Sequence, residues 1–294
     1  MEKTALLEQI NHNPELLENL AIIKFQGDDN YQKYADLFNE YLNNYHFCDK
    51  NPNLELCPQS FKGYKYYFSF VNGALMLTRV ECNHMLAFKE LNRVQNNYLY
   101  FDFAPELLKL RLKDISKDYN FHNVQPIIPE MVKFVKGERK KGLYIYGNPG
   151  IGKTHLMISF ANKLAEKDFK IAFISVINLI NKIKDSFNNV NNDDSFLVQT
   201  LLKADVLFLD DIGGEAVSPW VRDDLLFRVL NDRISRHKPV FFTSNFSINQ
   251  LLLIYANIKG ENMDPNINKI KTLRIVDRIK GLATEFELLG ESRR

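Results

Sequence analysis

From residue 130 onward, short unbroken apolar runs alternate with stretches in which apolar residues recur every three or four positions. The runs at 143–146, 171–175, 206–209, 240–243 and 285–288 predict buried strands. The periodic stretches at 153–166, 177–187, 218–235, 247–255 and 269–282 predict amphipathic helices. Strands separated by helices at this spacing predict an α/β domain, a parallel sheet with helices on both faces.

The front of the chain has a different texture. Leu6, Leu7 and Ile10 form one helical face, and Pro14 opens a second short helix through Leu16, Leu17 and Leu20. A longer helix is expected from Tyr31 to Tyr45, with Tyr34, Leu37, Phe38, Tyr41 and Leu42 as its apolar stripe. Residues 64–71 and 75–80 read as two strands joined at Asn72-Gly73, a strong hairpin signal. A further strand is expected at 98–103, then a helix from Pro105 through Leu107, Leu108, Leu110 and Ile115. The polar stretch 117–129 carries Pro126 and Pro129 and marks the expected domain boundary. The expected organisation is a smaller α+β domain at 1–116, a linker at 117–129 and the α/β domain at 130–294.

Composition narrows the class without choosing a function. Across 294 residues, 45% hydrophobic and 25% charged content is ordinary for a folded soluble chain. No apolar stretch approaches the ~18 residues that span a bilayer, so no membrane partner is expected. Glu2, Lys3 and Glu8 interrupt the first residues, so no secretory signal is expected either. Three cysteines are an odd number and give no disulfide framework, which makes the cytoplasm the expected compartment. Residues 130–294 hold 25 Lys and Arg against 20 Asp and Glu, and residues 1–129 hold 13 against 16. That excess is too small to establish nucleic-acid binding, although a local patch such as Lys182 and Lys184 is a candidate DNA contact.

The chemistry concentrates where the first predicted strand of the back domain meets its helix. Gly147-Asn148-Pro149-Gly150-Ile151-Gly152-Lys153-Thr154, followed by His155, fits the G-x-x-x-x-G-K-[ST] phosphate loop in the required strand–loop–helix context. Glycines let the backbone curl so that successive N–H groups face one concavity. The helix start adds unpaired N–H groups and the positive end of its dipole. Lys153 would reach the outer phosphates of ATP or ADP, and Thr154 would hold magnesium. The run 206–209 ends in Asp210-Asp211, so Asp210 is expected to hold magnesium through water and Asp211 to polarise the attacking water. The run 240–243 ends in Ser244-Asn245, and Asn245 could bond that water or the terminal phosphate. Arg274 and Arg278 share one helix face, where a solvated surface is the plainer reading of their spacing.

In the front domain, Cys48, Cys57, Cys82 and His84 flank the hairpin in a zinc-ribbon outline, with His46 an alternative ligand. There is no C-x-x-C pair, and three buried cysteines acting as small hydrophobes is the competing reading.

In this order the motifs resemble the AAA+ ATPases of the bacterial helicase-loader group, the DnaC and DnaI type. The resemblance rests on Leu209-Asp210-Asp211-Ile212-Gly213-Gly214-Glu215, Ser218-Pro219-Trp220-Val221-Arg222-Asp223, Phe241-Phe242-Thr243-Ser244-Asn245-Phe246, Arg274-Ile275-Val276-Asp277-Arg278-Ile279 and the closing Gly290-Glu291-Ser292-Arg293-Arg294. Cys57-Pro58, Lys62-Gly63-Tyr64 and Cys82 resemble that group's zinc-containing, helicase-binding N-terminal domain more loosely.

The resemblance implies an AAA+ P-loop fold. It makes Lys153 and Thr154 the Walker A pair, Asp210 and Asp211 Walker B, Asn245 sensor 1, Arg278 the arginine finger and Arg293 a candidate sensor 2. It implies a slow, partner-stimulated ATPase that places the hexameric replicative helicase on single-stranded DNA. The N-terminal domain would grip the helicase, and copies would associate through the AAA+ domain. Three features depart from the pattern. Asp211 stands where many AAA+ motors carry Glu, the sequence ends soon after the last predicted strand with no expected helical lid, and Asn51 stands near the place of a zinc-binding cysteine. A transposition helper ATPase of the IstB type is the alternative. A small-molecule kinase, or an adaptor that binds nucleotide and barely hydrolyses it, fits the motifs less well.

Overall fold

The computed structural model describes residues 3–25, 30–48, 53–118, 124–187, 193–258 and 264–292. The chain forms two compact units, Met1–Glu90 and Leu91–Arg294, and the division falls within the helix Asn83–Asn96.

In the first unit, the helices Lys3–Asn11, Pro14–Ile22 and Ala35–Asn44 precede a hairpin of β1 (Tyr64–Val71) and β2 (Ala74–Glu81). The expected turn is present: Asn72 and Gly73 both have positive φ, 51° and 77°, the combination a tight two-residue hairpin loop requires. Leu6, Ile10, Leu16, Leu20, Phe38, Tyr41, Phe68 and Leu75 form the core. Buried Asn19 satisfies the β1 backbone, accepting from Phe68 N–H at 2.7 Å and donating to Phe68 O at 3.1 Å. One asparagine therefore fixes the hairpin's register against the second helix.

The second unit holds six strands: β3 (Tyr98–Phe101), β4 (Gly142–Tyr146), β5 (Ile171–Ser175), β6 (Val206–Asp210), β7 (Val240–Ser244) and β8 (Ala283–Glu287). Their order across the sheet is β3-β5-β6-β7-β4-β8, with every pairing parallel. The period of two along each strand sorts side chains onto two faces. Tyr144, Ala172, Ile174, Leu207, Leu209, Val240 and Phe242 enter one core. Leu143, Ile145, Ile171, Phe173, Val206, Phe208 and Phe241 enter the other. The first core packs under helices Val176–Phe187, Asp193–Lys203, Phe227–Ser235, Ile248–Ala256 and Pro265–Leu282. The second packs under Ile128–Val135 and Lys153–Ala165. Both faces of the sheet are covered, as the unbroken apolar strands require.

The boundary expected at 117–129 is not where the chain divides. β3 pairs with β5 through Tyr98 and Ile171, so residues 91–116 belong to the second unit. Asn162 fastens the same segment, accepting from Tyr98 OH at 2.7 Å and donating to Leu107 O and Leu110 O at 2.8 and 3.0 Å. Part of the expected linker is a helix, Ile128–Val135, with Met131 and Phe134 in the core. Residues 119–123 lie outside the described chain. The expected helix at 218–235 begins as a π-helix, Trp220–Leu226, before turning α-helical at Phe227. The helix Asp193–Lys203 was not expected, although its Val198, Leu201 and Leu202 are spaced for it.

Candidate nucleotide-binding site

β4 delivers the chain to the phosphate loop at the carboxyl edge of the sheet, where ligands of parallel α/β folds bind. Gly147 cannot be replaced without disturbance. Its φ is 153°, and a Cβ there would sit 2.2 Å from Leu288 O. Leu288 is held in place by its N–H donating to Tyr146 O at 2.7 Å. Gly150 and Gly152 have φ of 82° and 97°, the left-handed region in which a side chain strains the backbone. Gly152 is also the N-cap of the helix Lys153–Ala165, so the loop's curl and the helix's positive end meet at one point. His155 is exposed on that helix.

Lys153 is 7% exposed. Its ammonium donates to Gly147 O at 2.8 Å, Asn148 O at 2.9 Å and Asn245 Oδ1 at 2.8 Å. A buried ammonium needs such acceptors, and the loop supplies them.

Thr154 and Asp210 stand side by side, as expected for a magnesium site. The Thr154 hydroxyl donates to Asp210 Oδ1 and Oδ2 at 2.9 and 3.1 Å. Hard oxygen donors beside a phosphate loop fit a magnesium ion that keeps most of its water. Burial pushes the Asp210 carboxyl up, against the hydrogen bonds from Thr243 and Thr154 that lower it. A divalent cation would supply the missing compensation.

Sequence reasoning passed over one member of this group. Thr243 lies at the end of an apolar strand, and only its polarity amid that run marked it. Its hydroxyl donates to Asp210 Oδ1 at 2.5 Å and accepts from Asp211 N–H at 2.8 Å, so one side chain holds the Asp210 carboxylate and the backbone of Asp211. Asp211 has a positive φ of 56°. Its Oδ1 accepts from Asn245 Nδ2 at 3.0 Å. Ser244 donates to Ile212 O at 2.6 Å and accepts from Phe246 N–H at 3.1 Å, which anchors the segment carrying Asn245.

One expected site residue is not brought here. Arg278 donates from Nε to Asn231 Oδ1 at 3.1 Å, and both Arg278 and Arg274 lie over the Phe227 ring. Arg293 lies outside the described residues.

Cys48, Cys57 and His84 line one pocket, but the expected zinc ligands do not converge on a metal position. Cys48 Sγ is 3.7 Å from His84 Nδ1, a separation two ligands of one metal would have. Cys57 Sγ accepts from Gly63 N–H at 3.4 Å, and Gly63 O accepts from Cys82 N–H at 2.9 Å. Among the described residues, no three His, Cys, Asp or Glu side chains form a group able to hold a metal. As placed, the side chains do not fit a zinc centre. None of the cysteines is in a disulfide, and Asn51 lies outside the described residues. No described helix is long and apolar enough to cross a membrane.

Residues 86–259, which include the phosphate loop, Asp210, Asp211 and Asn245, match the family of IstB-like ATP binding proteins. The chain belongs to this family. It is similar to the replicative helicase loader DnaI of Bacillus subtilis (strain 168), 32% identical over 209 residues. That match covers 70% of this chain and 64% of DnaI, less than two thirds of the relative's length. A crystal structure of DnaI, also 32% identical, matches with a TM-score of 0.56 over 69% of this chain and 100% of that one. The expected AAA+ P-loop fold, a parallel sheet with helices on both sides, is the fold observed.

Proposed function

We propose that this IstB-like ATP-binding protein is an ATPase that loads a hexameric replicative helicase onto single-stranded DNA. The observation that carries the reading is the likeness to DnaI, in sequence over 70% of this chain and in fold over 69% of it. The site supplies the machinery. The phosphate loop and Lys153 bind the phosphates, and Thr154 with Asp210 holds magnesium, which neutralises charge on the phosphates when bound. Asp211 polarises the attacking water, and Asn245 bridges Lys153 and Asp211. Asp211 is one methylene shorter than Glu and a less extended base, which suits slow, partner-stimulated turnover.

Arg278 serves a neighbouring copy's nucleotide when AAA+ units associate, consistent with its placement away from its own chain's site. The first unit grips the helicase. The transposition-helper reading shares the ATP-binding core, and its support is the family match at 86–259. The two readings differ in partner. The test is transfer of the purified replicative helicase onto circular single-stranded DNA. Wild-type protein with ATP is expected to load it, and Lys153→Ala is expected not to. Equal loading by that variant would remove the ATP-switch reading.

A further inference from the structure

The turn that follows β6 is unusually constrained. Asp211 and Gly213 both have positive φ, 56° and 89°. A Cβ at Gly214 would lie 2.7 Å from Asp211 Oδ2, so the turn packs directly against the carboxylate it presents. Glu215 closes it, with Oε2 accepting from Gly213 N–H at 2.6 Å. That carboxylate is 7% exposed and serves no step described above.

Its second oxygen leads elsewhere. Glu215 Oε1 accepts from Tyr255 OH at 2.6 Å, and Tyr255 is fully buried at the end of the helix Ile248–Ala256. The carbonyl of Tyr255 accepts from Arg222 Nη1 at 3.0 Å and from the Thr272 hydroxyl at 3.2 Å. Arg222 is itself fully buried, and also donates to Thr272 Oγ1 at 3.2 Å and to Asn268 Oδ1. Asn268 and Thr272 lie on the helix Pro265–Leu282, which carries Arg278. Tyr255 therefore holds the Asp211 turn with its hydroxyl and the Arg278 helix with its carbonyl. Packed polar networks of this kind shift as units, because each member left unpaired in a buried setting is costly.

We propose that Glu215 is a positioning residue for ATP hydrolysis: it sets the turn that aims Asp211 and, through Tyr255, ties that turn to the Arg278-bearing helix. The proposal rests on the reading of Asp211 as the water-polarising carboxylate. Nucleotide affinity is assigned to Lys153, Thr154 and Asp210, so a fault in this link falls on turnover rather than binding.

The experiment is steady-state ATP hydrolysis and thermal melting of the full chain as wild type, Glu215→Ala, Glu215→Gln, Tyr255→Phe and the Glu215→Ala/Tyr255→Phe double variant. Glu215→Ala is expected to lower kcat by about tenfold or more, with KM for ATP within about twofold, since small misplacement of a reacting group is costly. Glu215→Gln restores turnover, because its amide accepts from Gly213 and donates to the Tyr255 hydroxyl. Tyr255→Phe lowers kcat in the same manner, and the double variant is no worse than Glu215→Ala alone. Tyr255→Phe removes one oxygen from a packed ring and carries the test if Glu215→Ala does not fold. Unchanged kcat in Glu215→Ala or in Tyr255→Phe overturns the positioning role, as does a Glu215→Gln variant as impaired as Glu215→Ala. Absence of turnover in the wild type would instead remove the ATPase reading, and the positioning role with it.

Discussion

The ammonium of Lys153 donates to Asn245 Oδ1 at 2.8 Å, and the amide nitrogen of Asn245 donates onward to Asp211 Oδ1 at 3.0 Å. One neutral side chain thus links Lys153 to Asp211, the groups proposed above to bind phosphate and to polarise water. Asn245→Ala is expected to lower kcat for ATP about 10²–10³-fold, the scale of a lost preorganised donor, with ATP affinity reduced less than about tenfold. Steady-state kinetics with fluorescent-nucleotide binding separates the two. Equal losses in binding and turnover would contradict the link and leave Asn245 as a binding residue alone.

Asp210 is a buried carboxylate whose pKa burial raises. A carboxyl with a raised folded pKa favours the folded state while it is protonated. That contribution is lost as pH rises from the ordinary aspartate range through the raised value. At pH 7.5 the nucleotide-free protein therefore retains a cost that Asp210→Asn removes. The variant is expected to melt ~2–4 °C higher than wild type without nucleotide, corresponding to about 1 kcal/mol. It is also expected to lose magnesium-dependent ATP binding. An unchanged or lower melting temperature, with magnesium-dependent binding intact, would place the cation elsewhere.

The motif-bearing half of the site was legible in the sequence because each piece is local. A phosphate loop needs its glycines, lysine and threonine in consecutive positions, and an apolar strand ending in Asp210-Asp211 or Ser244-Asn245 carries its own direction. The alternation of runs and periodic stretches likewise gave the sheet and most of its helices. What was hidden depends on pairing across distance. Tyr98 meets Ile171 in the sheet, and no residue near Tyr98 announces that partner, so the sequence alone points to the polar, proline-bearing stretch as the domain boundary. Glu215, Tyr255 and Arg222 sit on separate elements and form one network only after folding. Cysteines and histidines at this spacing suggest a metal centre, but a count does not contain ligand geometry: Cys48, Cys57 and His84 line one pocket, yet among the described residues no three such side chains form a group able to hold a metal.

Arg278 bonds within its own chain to Asn231 and lies over Phe227. If it acts on a neighbouring copy, Arg278→Ala leaves ATP affinity of the dilute monomer within about twofold and lowers hydrolysis in the assembled state about 10³-fold or more, the scale of an arginine finger. Titrating protein concentration during the assay checks this. Equal loss at all concentrations would assign Arg278 a role inside its own chain.

Arg233 is a structural counterpart with no link to the site. Fully buried, it donates to Ala204 O at 2.6 Å, Pro239 O at 2.7 Å and Asp205 O at 3.0 Å, joining segments that flank β6 and β7. Burial lowers its guanidinium to about 10, so it remains charged at neutral pH. Arg233→Ala strands those carbonyls and is expected to destabilise the protein by roughly 3–5 kcal/mol in denaturant unfolding. A loss below about 1 kcal/mol would show that water replaces the guanidinium.

The proposed ATP control of a grip on the replicative helicase is tested most directly by binding of the full chain to the hexameric helicase of the same cell in ATP and in ADP. A stable complex is expected with ATP, dissociating as ATP is hydrolysed and persisting when Asn245→Ala slows hydrolysis. No complex under any nucleotide condition, with capture of a transposase instead, would contradict it and transfer the same ATPase site to the transposition-helper reading.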